Sequence, residues 1–120
     1  MYDDAQAWRD VTENFPHMTI YYLFLLKKGP TWSPDETPEI NKLQDEHLAN
    51  LRRLGEIGKL VINGPLLDSF AVSGEIRGIG VLKTSSLAEA QELISTDPMV
   101  KAGRLIFELH TWMVGKNILP

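Results

Sequence analysis

From Met18 to Leu26 every residue except Thr19 is apolar or aromatic. The apolar side chains do not alternate with polar ones. Ile20, Tyr22, Phe24 and Leu26 fall on one face of an extended chain, and Tyr21, Leu23 and Leu25 on the other. The run is far too short to span a bilayer. It is rich in aromatic and branched residues, so it predicts a strand from Met18 to Lys28. A strand apolar on both sides must be covered on both sides, which places it in the middle of a sheet.

The rest of the chain supplies the elements around that strand. Gly29 to Pro34 reads as a loop carrying Trp32. Thr37-Pro38 starts a helix, with Thr as N-cap and Pro at the first helical position. Gly58 ends it in a left-handed cap. Lys59 to Asn63 reads as a short strand stopped by Gly64-Pro65, followed by an irregular connection over 66–74. Glu75 to Lys83 is the third strand. Ser86-Leu-Ala-Glu89 is a capping box opening a second helix, with an inner stripe of Leu87, Ala90, Gln91 and Ile94. Asp97-Pro98 opens a single turn closed by Gly103, and Arg104 to Val114 is the fourth strand. The order β-α-β-β-α-β is the ferredoxin-like, split βαβ pattern, an α+β antiparallel sheet with two helices on one face. Residues 1–16, acidic and carrying Trp8, Val11 and Phe15, read as an N-terminal arm or short helix ahead of a domain over 17–120.

In the fourth strand Leu105, Phe107, Leu109 and Met113 form one side, expected to meet the helices. Ile106, Glu108, His110, Trp112 and Val114 form the other. With the two-sided first strand, this mixed second face predicts association with a second copy, a face-to-face homodimer.

Composition narrows the function. At 120 residues the chain is one domain that buries roughly two-thirds of its unfolded surface. It has no cysteine, which excludes disulfides, thiol catalysis and cysteine metal sites. The three histidines, His17, His47 and His110, lack metal-ligand spacing, so no metal is expected. A net charge of −4 argues against nucleic acid as the main partner. Arg77-Gly78-Ile79-Gly80-Val81 lacks the stacking aromatics of an RNA-binding strand. Lying within a strand, it is no dinucleotide loop. Neither a membrane span nor a secretory signal is visible, which makes a cytoplasmic location the default expectation.

The chemistry lies in the first helix. At 100° per residue its apolar stripe is Ile40, Leu43, Leu51 and Leu54, and its polar face is Glu39, Lys42, Asp45, Glu46, Arg52 and Arg53. His47 falls in the middle of the stripe, so an imidazole points inward. Asp97, fifty positions away, is a well-placed partner. A carboxylate that orients an imidazole is a common device for moving a proton near neutral pH. The structural alternatives are a core histidine bonded to a backbone carbonyl and an Asp97 that is only an N-cap. Gly64 and Pro65 either serve turn chemistry or let backbone approach a ligand. Trp32 either covers a cleft or pins its loop.

Taken together, these residues resemble the YciI-related family. The pieces are His47-Leu48-Ala49 with Leu51, Gly58 followed by Leu60, Gly64-Pro65, Leu87 with Ala90-Gln91, and Asp97-Pro98 followed by Ala102-Gly103. They run in family order over 18–114. The resemblance implies a dimeric α+β barrel of ferredoxin-like protomers. It also implies a site pairing a helix histidine with a loop aspartate, here His47 and Asp97. Most members have no established activity; one relative removes chloride from a chlorinated hydroxyquinol with such a dyad and no cofactor. Members often carry an arginine one turn before the histidine, where this chain has Gln44, which removes a fixed cation. The residues 1–16 also lie outside the usual pattern.

The expectation is therefore a cofactor-independent enzyme of lyase, isomerase or dehydrochlorinase type, moving a proton on a small metabolite. His47 and Asp97 would be its dyad, and Gly64, Pro65 and Trp32 would be substrate-binding residues. The alternative is a non-catalytic small-molecule-binding or regulatory protein using the same cleft.

Overall fold

Met18–Lys28 forms β1, hydrogen-bonded along both edges to antiparallel neighbours. The computed structural model describes residues 4–68 and 74–120. Leu60–Pro65 is β2, Ile76–Leu82 is β3 and Leu105–Gly115 is β4, and the sheet order is β2-β3-β1-β4. This is the ferredoxin-like α+β arrangement, with the two-sided strand inside the sheet. Ahead of it lies α1 (Asp4–Asn14). Between β1 and β2 runs α2 (Pro38–Glu56), and between β3 and β4 run α3 (Leu87–Ile94) and the one-turn α4 (Pro98–Lys101).

The helix ends follow local chemistry. Thr37 Oγ1 accepts the Ile40 N–H over 3.1 Å, with Pro38 in the first turn. At the other end Gly58 takes φ +78°. Its N–H donates to the Gly55 carbonyl and the Lys59 N–H to that of Leu54, both over 3.0 Å. That pair of bonds is the Schellman closure. Ser86 Oγ accepts the Glu89 N–H over 3.1 Å, and Glu89 reaches back to the Ser85 N–H over 3.3 Å.

One face of the sheet meets the helices. Tyr22, Phe24 and Leu26 of β1 pack with Leu51 and Leu54 of α2, Leu82 of β3, Ala90 and Ile94 of α3, Met99 of α4 and Leu105 of β4. Phe24 pairs across the sheet with Gly80 on one side and Leu109 on the other. A methyl group on Gly80 would sit 2.1 Å from the Phe24 ring, so the ring occupies the space a side chain would need. On the other face Tyr21 and Val81 are buried, while Leu23 and Leu25 are half-buried. Ile62, Ile106 and Trp112 are exposed. Lys27, Glu108 and His110 form a polar cluster there, with Glu108 3.8 Å from Lys27 and 3.1 Å from His110.

Three expectations are corrected. Gly64 and Pro65 do not stop the second strand. Gly64 pairs with Ile79 and Pro65 with Gly78. The Leu66 N–H then donates to the Arg77 carbonyl. β2 is the sheet edge, where a proline's missing N–H costs no ladder bond. Gln91 is exposed rather than inward; Leu93 packs against the core beside Ala90 and Ile94. Met113 is half-buried and lies outside the main core cluster that takes in Leu105, Phe107 and Leu109. Part of the expected connection over 66–74, and the first three residues of the expected arm, lie outside the described residues.

Candidate functional site

His47 sits on the buried stripe of α2 with Leu51 and Leu54. α4 packs against that helix. Asp97 is the N-cap of α4, and its Oδ1 accepts the Met99 N–H over 2.8 Å. Its Oδ2 lies 2.6 Å from His47 Nδ1. Asp97 is fully buried and His47 is 8% exposed. An ionised carboxylate only accepts, and Oδ1 is already engaged by a backbone donor. Against an ionised Asp97, the imidazole is the donor, through its Nδ1–H. Among the described hydrogen bonds Nε2 has no partner. It is the ring nitrogen left for the cleft that His47 lines.

A second clasp holds the same turn. Asn50, one helical turn after His47, donates from Nδ2 to Thr96 Oγ1 over 3.1 Å, and Thr96 Oγ1 donates to the Leu93 carbonyl over 2.6 Å. Thr96 and Asp97 are adjacent, so two neighbouring residues tie the turn to two successive turns of α2. The Asn50–Thr96 contact was not legible in the sequence, because neither residue departs from ordinary surface patterning.

The cleft holds about 420 Å³. Phe24, Leu26, Met99 and Leu105 supply apolar surface, and His47, Gln44 and Asn41 line it from α2. Asn63, Gly64 and Pro65 of β2 and Gly78 of β3 form another wall, and the loop from Trp32 to Glu36 forms the rim. Of the residues singled out in the sequence, His47, Gly64, Pro65 and Trp32 share this one cleft. Asp97 is not part of its lining; it stands behind His47. The extension of β2 through Pro65 is what carries that backbone to the wall.

Trp32 is pinned rather than free. It packs against the core. Lys28 Nζ lies 4.2 Å from its ring centre, and the Arg77 and Arg104 guanidinium carbons lie 5.1 and 5.8 Å away. The loop backbone is fastened to the chain leading into β4. Gly29 N–H donates to the Arg104 carbonyl over 2.9 Å and Thr31 N–H to the Gly103 carbonyl over 3.0 Å. Arg104 Nη2 donates to the Ser33 carbonyl over 2.7 Å. A methyl group on Gly29 would meet the Gly103 carbonyl oxygen at 2.2 Å, so these two backbones touch only because the residue is glycine.

Arg77 and Arg104 also line the cleft, a placement that strand patterning alone does not reveal. Strict alternation from Gly78 puts Arg77 on the far face. The β1–β3 register shifts between Leu26 and Lys27, which pair with Gly78 and Ile76, and Arg77 is the residue skipped. Such bulges re-aim side chains beside functional sites. Among the described residues no group of three or more His, Cys, Asp or Glu is arranged to hold a metal, and no helix is long and apolar enough to cross a membrane.

Comparison with known proteins agrees with this architecture. The structure superposes on 5-chloro-2-hydroxyhydroquinone dehydrochlorinase (TftG) from Burkholderia phenoliruptrix AC1100, solved in complex with 2,5-dihydroxybenzoquinone. The TM-score is 0.58 at 22% identity, covering 80% of this chain and 96% of that one. At that identity the likeness speaks for the fold. No curated protein sequence matches the chain. The model of the YCII-related domain matches residues 20–112, from the start of β1 almost to the end of β4, and the chain belongs to that family.

Proposed function

We propose that this protein is a cofactor-independent proton-transfer enzyme of lyase or isomerase type, acting on a small metabolite. His47 is its acid/base and Asp97 its positioning residue. The observation that carries the reading is the 2.6 Å bond from His47 Nδ1 to a fully buried carboxylate, with the ring facing a cleft. Asp97 fixes the tautomer and stabilises the imidazolium as it forms, the logic by which a carboxylate supports a catalytic histidine.

Nε2 takes a proton from a carbon made acidic by a neighbouring carbonyl. The C–H electron pair becomes the C=C bond of an enolate as the carbonyl π pair moves onto its oxygen. In an isomerase the imidazolium returns the proton at another atom. In a lyase the enolate re-forms its carbonyl, and its C=C pair makes a new double bond to the neighbouring carbon. The leaving group departs from that carbon with its bonding pair, and the proton passes to solvent. The structural neighbour bears the name of a dehydrochlorinase, a reaction of the second kind. Proton transfer by a positioned side chain contributes about 10²–10⁴-fold.

The test is chloride release from 5-chloro-2-hydroxyhydroquinone, with solvent deuterium exchange followed on the same compound and on non-chlorinated hydroxyquinols. His47→Asn is the informative variant, because its amide keeps a donor for Asp97 while removing the titratable ring. The expected result is turnover or exchange by the wild type and a fall of about 10²-fold or more in folded His47→Asn. Undiminished turnover in that variant would falsify the role of His47. Saturable binding with neither exchange nor chloride release would leave the cleft as a binding site, the regulatory alternative.

The working form is proposed to be a homodimer through the open sheet face. Its support is the exposure of Ile62, Ile106 and Trp112 on one side of the sheet. Sedimentation equilibrium at micromolar concentration decides between one copy and two.

A further inference from the structure

We propose that the cleft is built for an anion, and that Arg77 and Arg104 are the residues that receive it. The substrate would carry a carboxylate or an equally acidic enol. This rests on the proposed chemistry at His47 in one respect only: it names the class of molecule brought to that ring.

The chain carries a net charge of −4, yet three cations converge on a single indole. Lys28, Arg77 and Arg104 all lie within 5.8 Å of the Trp32 ring centre. Attraction to the ring face draws each cation toward the indole. It does nothing to relieve repulsion among the cations. Among the described ion pairs neither Lys28 nor Arg104 has a carboxylate partner. An anion in the cleft would meet the charge of Arg104, with the Arg77 side chain on the same lining.

The two arginines come to the cleft by separate devices. Arg77 is the skipped residue of the β1–β3 bulge. Arg104 is held through its backbone carbonyl by Gly29 and through its guanidinium by the Ser33 carbonyl. One Nη of Arg104 is used in that bond, and a guanidinium has five donors in all. The remaining fork matches a carboxylate in geometry, which a lysine does not. Gln44 occupies the α2 wall of the same cleft, so that wall adds no cation near His47. Asp35 and Glu36 also line the cleft, but both are exposed on its rim. The charge therefore sits on the β3/β4 side while the base sits on α2. A substrate anchored by its acid group on the arginines spans toward Nε2 with its apolar part over Phe24 and Leu26.

The test compares benzoate with benzamide, which share shape and differ in charge. Binding is followed by heteronuclear NMR on the backbone of Gly64 and the guanidinium signals of Arg77 and Arg104. Benzoate is expected to bind saturably and at least about tenfold tighter than benzamide. Its affinity should fall as salt rises, a reading that needs no variant. Arg77→Gln and Arg104→Gln should each weaken benzoate about tenfold and leave benzamide unchanged, while Arg77→Lys, which keeps the charge without the fork, falls between the wild type and Arg77→Gln. Equal affinity for the two probes, absence of saturable benzoate binding, or undiminished benzoate binding in the folded double Gln variant overturns the proposal. The anion site is read by benzoate binding, and the proton-transfer role by chloride release and deuterium exchange. Failure of the anion site and failure of the proton-transfer role are thus read in different experiments.

Discussion

The two faces of the sheet are made from the same strand and meet different fates. On the helix side, Phe24, Leu54, Leu82 and Ile94 are at most 1% exposed, and the two polar residues among them, His47 and Asp97, are bonded to each other. On the other side Trp112 is 45% and Ile62 57% exposed, and the polar residues there, Glu108 and His110, pair in solvent. A polar group on the first side is held in one geometry by packing. One on the second side is held only by exposed partners, as Glu108 is by His110 and Lys27. The contrast explains why only the helix side can position a proton acceptor to within a hydrogen bond.

Substitutions on the two sides should separate by size. His47→Leu leaves the Asp97 carboxylate buried with only the Met99 N–H, and is expected to lower stability by about 3–5 kcal/mol in urea or thermal unfolding. His47→Asn should recover most of that loss; if the two variants are equally unstable, the bond to Asp97 is not what holds the turn. Gly80→Ala forces a methyl group against the Phe24 ring and should cost about 1–3 kcal/mol. The same experiment on the far face, Trp112→Ser, should change monomer stability by about 0.5 kcal/mol or less. Its effect should fall instead on self-association, read by sedimentation. A large stability loss in a monomeric Trp112→Ser would dissolve the contrast between the faces.

The smallest effect expected is in pH dependence. The hydrogen bond from His110, and then the charge of Lys27, hold the Glu108 carboxyl below its ordinary range. Its contribution to stability is therefore present above the unfolded carboxylate range and fades as pH falls through the lowered folded value. Because the group is exposed, Glu108→Gln should alter only the acid limb of a urea-midpoint series, and only slightly.

The sequence carried the framework because its signals are local. Thr37-Pro38, Ser86 with Glu89, and Gly58 each act within one turn of chain, and each appears where its chemistry predicts. The inward imidazole was legible from 3.6-residue periodicity, and Asp97 from its place before Pro98. What escaped depends on pairing between strands. Pro65 is tolerated because β2 is an edge, which a proline does not reveal by itself. Arg77 reaches the cleft because a register shift breaks the alternation that a single strand would obey. The fastening of Trp32 through Arg104 needs two backbones brought together at Gly29, seventy-odd positions from the residues it touches.

Asp97 is at once the start of a helical turn and the seat of an imidazole. One carboxyl group therefore answers to two masters, folding and chemistry. Anyone trying to redirect this scaffold toward a new reaction has little freedom there, since a replacement must suit both. The latitude lies around the mouth, in positions such as Gln44, Asn63 and the segment after Trp32, where side chains can be exchanged without unfastening the turn beneath.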